Sequence, residues 1–116
     1  MGKQPESSNE TSGKKLDGFV TRARSEIAAA LSISPEDLVA SYVIGDSGEP
    51  EPSAFVLNVN CSASHPAARL QAVMWGADGW WYRPRPATLA WHPTKLGWER
   101  SPREVGEWLA QLLGVR

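Results

Sequence analysis

The sequence predicts an α+β domain: one antiparallel sheet of four to five strands, with an N-terminal and a C-terminal helix packed on one of its faces, in the order α-β-β-β-β-(β)-α. Three observations predict it. Apolar residues recur at spacings of three and four near both ends of the chain. Between those stretches lie short runs of alternating apolar and polar residues, separated by Gly, Pro and Asp turns. The 116 residues, with 41% hydrophobic and 22% charged, fit one domain with one modest core.

The elements follow in order. Residues 1–14 hold no large apolar side chain after Met1, so they cannot bury enough surface to offset the entropy of ordering and are expected to form a disordered tail ahead of a single domain at 15–116. Leu16, Phe19, Val20, Ala23, Ile27, Ala30 and Leu31 then form the stripe of an amphipathic helix, with Arg22, Arg24, Ser25 and Glu26 on the other side. Ser34-Pro35-Glu36-Asp37 supplies an N-cap, a proline at the first helical position and acids in the first turn, enough for one helical turn. Val39–Ile44 is a first strand, Gly45–Pro52 is turn chemistry throughout, and Ala54–Asn60 alternates with Phe55, Leu57 and Val59 on one face.

Ser62–Ala68 connects, through His65-Pro66, to a third strand at Leu70–Trp75. Gly76-Ala77-Asp78-Gly79 turns the chain into a fourth strand, Trp80–Arg83, with Trp75 set opposite Trp80. Pro84 and Pro86 end that strand or mark an edge. Thr88–His92 is a short fifth strand and Pro93–Arg100 a loop. Ser101-Pro102-Arg103-Glu104 is a capping box with proline at its first helical position. Behind it Val105, Trp108, Leu109, Leu112 and Leu113 form a stripe that Gly114 stops.

The run from Leu16 to Leu113 resembles a family of small actinobacterial proteins catalogued as a domain of unknown function. The matching pieces are Ser53–Val59, His65-Pro66, Ala72–Trp75, Asp78-Gly79-Trp80 and Ser101-Pro102 through Leu113. These are packing and turn motifs. The stretch Arg83–Arg100 departs from the pattern, being richer in Trp, Pro and Arg. The resemblance implies a fold and a bacterial source; the family brings no activity, cofactor or site residue with it.

Composition narrows the function classes. One cysteine, Cys61, allows no internal disulfide and suits a reducing cytoplasm. No run approaches the ~20 apolar residues of a membrane span, and the N-terminus has no signal-peptide core. Cys61, His65 and His92 are the only soft metal ligands besides methionine, and they lack the paired spacing of zinc sites. No nucleophile elbow or phosphate-binding glycine loop is present. No catalytic residue, metal or cofactor is therefore expected. The net charge of −1 divides unevenly, −4 over residues 1–61 and +3 over 62–116. That basic excess is too small and too scattered for a nucleic-acid footprint.

The sharpest positive feature is aromatic. Five of the six tryptophans lie between Trp75 and Trp98, among Arg83, Arg85 and Arg100. On a strand, Trp80 and Tyr82 face one way and Trp81 and Arg83 the other, so with helices on one face either Trp81, or Trp80 with Tyr82, must lie on the open one. The expectation is a non-enzymatic interaction or regulatory module that binds a protein partner or a second copy of itself. Its open face would bear Trp75, Trp81 and Arg83, within a binding set of Trp75, Trp80, Trp81, Tyr82, Arg83, Arg85, Trp91 and Trp98. The competing expectation is a small-molecule or single-strand binder using the same aromatics with Arg85 and Arg100.

Overall fold

The computed structural model describes the backbone of residues 4–44, 50–76, 78–85 and 90–115. Helix α1 (Gln4–Leu31) leads into a 3-10 turn at Pro35–Asp37 and strand β1 (Leu38–Ile44). Strand β2 (Pro50–Val59), a second 3-10 turn at Pro66–Arg69, β3 (Leu70–Gly76), β4 (Gly79–Pro84), β5 (His92–Pro93) and helix α2 (Pro102–Leu113) follow. The five strands form one antiparallel meander in the order β1-β2-β3-β4-β5. The predicted class and element order hold.

Three boundaries differ from the sequence reading. Helical backbone continues N-terminally from the apolar stripe to Gln4, through the segment expected to be a tail. Adding turns to an existing helix costs far less than nucleating one, which carries the helix through Ser, Asn, Thr and Gly positions of low propensity. Strand β2 begins at Pro50, inside the expected turn, where Val43 pairs with Glu51 and Ile44 with Pro50 beyond a bulge that follows Tyr42. Among the described residues the fifth strand is His92–Pro93; positions 88 and 89 of the expected Thr88–His92 strand, and Pro86, lie outside the described residues.

Both helices lie on the same face. Val20, Ala23, Ile27 and Leu31 of α1 and Val105, Leu109, Ala110 and Leu113 of α2 share one buried cluster with Leu38, Phe55, Leu57, Val59, Leu70, Val73 and Trp80. Each large aliphatic side chain so buried contributes about 1.5–3 kcal/mol relative to exposure. The helices meet at Gly106, where a Cβ would stand 2.8 Å from the Ala30 Cβ and 3.1 Å from the Ile27 Cα. Glycine here permits an approach no other residue allows.

Caps fix the helix ends as the sequence implies. Ser101 Oγ accepts the Glu104 N–H at 3.2 Å, and the Glu104 carboxylate accepts the Ser101 N–H at 3.0 Å. Gly114, at φ 77°, closes α2, and the Val115 N–H donates back to the Ala110 carbonyl at 2.8 Å.

Candidate functional site

Register sorts the sheet side chains into rows across the strands. On the helix side run Tyr42–Phe55–Trp75–Trp80 and Ala40–Leu57–Val73–Tyr82–His92. On the opposite side run Ser41–Val56–Met74–Trp81–Pro93 and Val39–Asn58–Ala72–Arg83. Directly paired residues project to the same face, so each row stays on its side.

This sorting corrects the expected binding set. Trp75 pairs with Trp80 and Phe55 and therefore lies on the helix side, away from Trp81. Trp80 is 1% exposed and cannot touch a partner in the folded state. Phe19, Phe55, Trp75 and Trp80 form one aromatic cluster with centroid separations of 5.0–6.5 Å, mostly edge-to-face. Both indole N–H groups are satisfied by carbonyls of the segment before α2. Trp75 Nε1 donates to Trp98 O at 3.0 Å and Trp80 Nε1 to Arg100 O at 3.2 Å. Tyr82 is also on the helix side, stacked on His92 and edge-on to Trp108 of α2.

Arg85 is a staple. Its backbone N–H donates to Arg69 O at 2.7 Å, its Nη2 to Val59 O at 2.6 Å and its Nε to Leu70 O at 3.4 Å, tying the ends of β2 and β3 to the chain beyond β4. Trp98, 58% exposed, stands in the turn before α2, where its carbonyl serves Trp75. Of the eight expected residues, the sheet's outer side brings together Trp81, Arg83 and Trp91. The Arg83 Cζ lies 4.7 Å from the centroid of the Trp91 ring, a cation–π distance. The Arg83 Nε is buried with no hydrogen-bond partner among the described residues, which is uncommon for so strong a donor. Val56 and Met74 lie beside Trp81, half-buried, and Val39 is 49% exposed. These aliphatic neighbours were not singled out from sequence, although the alternation of β2 and β3 carries them.

The backbone that positions the site is held from the other side of β4. Gly79, at φ 113°, sits against Leu96 O, 2.7 Å from where a Cβ would be. The Trp80 N–H donates to Leu96 O at 3.1 Å, while Trp80 O accepts from the Thr94 N–H and Oγ1 at 3.1 and 2.8 Å. The segment Thr94–Leu96 thus continues the role of β5 along β4.

The soft ligands are dispersed among structural duties. His65 caps the second 3-10 turn, its Nδ1 accepting the Ala67 N–H at 2.9 Å and its Nε2 lying 3.0 Å from Ser32 O. Cys61 follows β2, half-buried, and burial together with the Asp37 carboxylate pushes its thiol pKa up, away from nucleophilic character. Among the described residues no three His, Cys, Asp or Glu side chains group as a metal site, and no helix is long and apolar enough to cross a membrane. Compared with known proteins, the chain matches no family model, no curated protein and no solved structure.

Proposed function

We propose that this protein is a non-enzymatic interaction module whose outer sheet face, centred on Trp81, Arg83 and Trp91, binds a partner protein. One observation carries the reading: a guanidinium stacked on an indole, with no ion pair and no acceptor for its buried Nε among the described residues, beside a second indole on the sheet face opposite both helices. Trp and Arg are the side chains that dominate interface energetics. A partner carbonyl or carboxylate reaching the terminal Nη groups of this guanidinium, rather than its buried Nε, would gain a charge-assisted hydrogen bond, while Met74 and Val56 add apolar area around Trp81. The raised Cys61 pKa and the structural duties of His65 and Arg85 support a binding role over a catalytic one. The single cysteine supports a reducing, cytoplasmic setting.

The test compares partner retention from native-host extract by the wild type, Trp81→Ala, Arg83→Ala and Trp98→Ala. Retention is expected to fall at least about tenfold for the first two variants, the effect of losing a residue worth ~1.4 kcal/mol, and to persist for Trp98→Ala. Equal retention by all four proteins overturns the reading. Salt-dependent quenching of tryptophan fluorescence by oligonucleotides, abolished in Trp81→Ala, would replace it with single-strand binding.

A further inference from the structure

The two edges of the sheet are built differently. The β5 edge is two residues long, contains Pro93 and gives way to the irregular segment Thr94–Leu96. Short length and proline are recognised ways of blunting an edge against further pairing. The β1 edge has neither device. Leu38-Val39-Ala40-Ser41-Tyr42-Val43-Ile44 carries no charge and no proline.

The directions of its backbone groups follow from two hydrogen bonds. The Asn60 N–H donates to Asp37 O at 2.7 Å, so position 37 points toward β2. Alternation then turns Leu38, Ala40 and Tyr42 away from β2. Leu38 is already satisfied: its carbonyl accepts from Arg24 Nε at 2.9 Å, and its N–H donates to Pro35 O. Beyond Tyr42 the register shifts. The regular part of the edge therefore offers two donor–acceptor sets that neither the sheet nor a described side chain takes up, those of Ala40 and Tyr42.

We propose that β1 pairs antiparallel with β1 of a second copy of this chain about a twofold axis at Ser41, making one continuous ten-stranded sheet. This register places Ala40 opposite Tyr42 of the second copy and the reverse. Both are outward-pointing positions, so they exchange four N–H···O=C bonds and use every unpaired group of the regular edge. Ser41 meets its own mate on the axis in the closely spaced, non-hydrogen-bonded position. The edge is thus complementary to itself, as a twofold interface must be.

The helix layer follows the same axis. Asp17 of α1 accepts the Tyr42 hydroxyl, and Arg24 reaches Leu38 O, so α1 runs along β1 in the opposite direction. Under the twofold the two α1 helices lie side by side and antiparallel, and the Asp17 end of each approaches the Arg24 end of the other. The outer row continues through the Ser41 pair into Val56, Met74 and Trp81 of the second copy. At about 4.8 Å per strand, the two Trp81 positions stand roughly 33 Å apart on one face. The pairing does not depend on what the outer face binds.

The experiment is a concentration series by light scattering and sedimentation on the wild type, Ser41→Glu, Ser41→Lys, an equimolar mixture of those two, and Trp81→Ala. The wild type is expected to rise toward twice the 12.7 kDa chain mass. Each charged variant should weaken association at least about tenfold, because like charges directly opposite on the axis repel. The mixture should restore the dimer, which only folded subunits can do. Trp81→Ala should leave the mass unchanged. A wild type that stays monomeric, charged variants that dimerise like the wild type, a mixture that fails to restore the dimer, or a dimer dissociated by Trp81→Ala would each overturn the proposal. Loss of partner retention with an intact dimer separates the outer-face reading from this one.

Discussion

Trp80 and Trp81 are consecutive on β4 and belong to different parts of the molecule. Trp80 is sealed among Phe19, Phe55 and Trp75, with its indole N–H given to Arg100 O. Trp81 lies across the sheet, beside Met74 and on the same side as the Arg83 guanidinium that rests on Trp91. The same side chain serves packing on one face and presents a surface on the other. What separates them is the phase of the strand alone. A high tryptophan count is therefore not one signal but two, and the helix-side set explains itself structurally.

The largest expected effect tests that division directly. Trp80→Ala empties the centre of the aromatic cluster and should lower unfolding free energy by about 3–5 kcal/mol. Trp81→Ala, half-buried on the outer face, should lower it by about 1 kcal/mol or less. Urea denaturation with unchanged slopes measures both. Equal losses would mean that the outer face is as much a core as the inner one, and the division would fail.

A second way to break the comparison is to disturb only the helix layer. Gly106→Ala adds a methyl 2.8 Å from the Ala30 Cβ and 3.1 Å from the Ile27 Cα. Alanine in a helix gains about 1 kcal/mol over glycine, but overpacking costs about 1–3 kcal/mol. One of the two clashes is with backbone, which yields poorly, so the net effect should be a loss of about 1–2 kcal/mol. Retention of a partner by the outer face should not change. A stabilised Gly106→Ala would show that α1 and α2 can separate freely.

How much of this was legible follows from particular residues. Phe55, Leu57 and Val59 alternate with Val56 and Asn58, so the phase of β2 could be read directly. In β4 only Arg83 marks the wet side, since Trp80, Trp81 and Tyr82 carry no charge among them. Yet the facing of Trp75 and Trp80 across the turn was legible, and paired residues share a face. Carrying that rule through would have put Trp75 inside with Trp80. The structural role of Arg85 was hidden for a different reason. Its three bonds go to backbone groups, Arg69 O, Val59 O and Leu70 O, which a sequence does not display. Gly106, in the middle of a helical stripe, carried a signal of close approach that went unused.

Smaller effects sharpen the comparison at the entrance to α2, where Trp80 hands its indole bond to the residue before the cap. Ser101→Ala removes the acceptor for the Glu104 N–H and should cost about 1 kcal/mol. Because Arg100 O holds Trp80 Nε1, hydrogen exchange at the Trp80 indole should speed up while that at Trp81 stays as it was. Equal acceleration at both indoles would mean that the two faces loosen together.

The smallest effect is electrostatic. The Glu104 carboxylate accepts the Ser101 N–H and pairs with Arg100, and these interactions hold its pKa below the ordinary value of 4.5. A group with a lowered folded-state pKa stabilises the fold in its ionised form. Its contribution is full above 4.5 and is lost as pH falls through the lowered folded value. Glu104→Gln keeps a capping side chain of the same shape without the charge. Its melting temperature should therefore lie slightly below that of the wild type at neutral pH, and the two should converge on acidification. Added salt should shrink the neutral-pH gap as well, since the carboxylate and its Arg100 partner lie at the surface. A gap that is constant across pH would assign the role of Glu104 to hydrogen-bond shape alone, leaving the helix entrance, and with it Trp80, indifferent to charge.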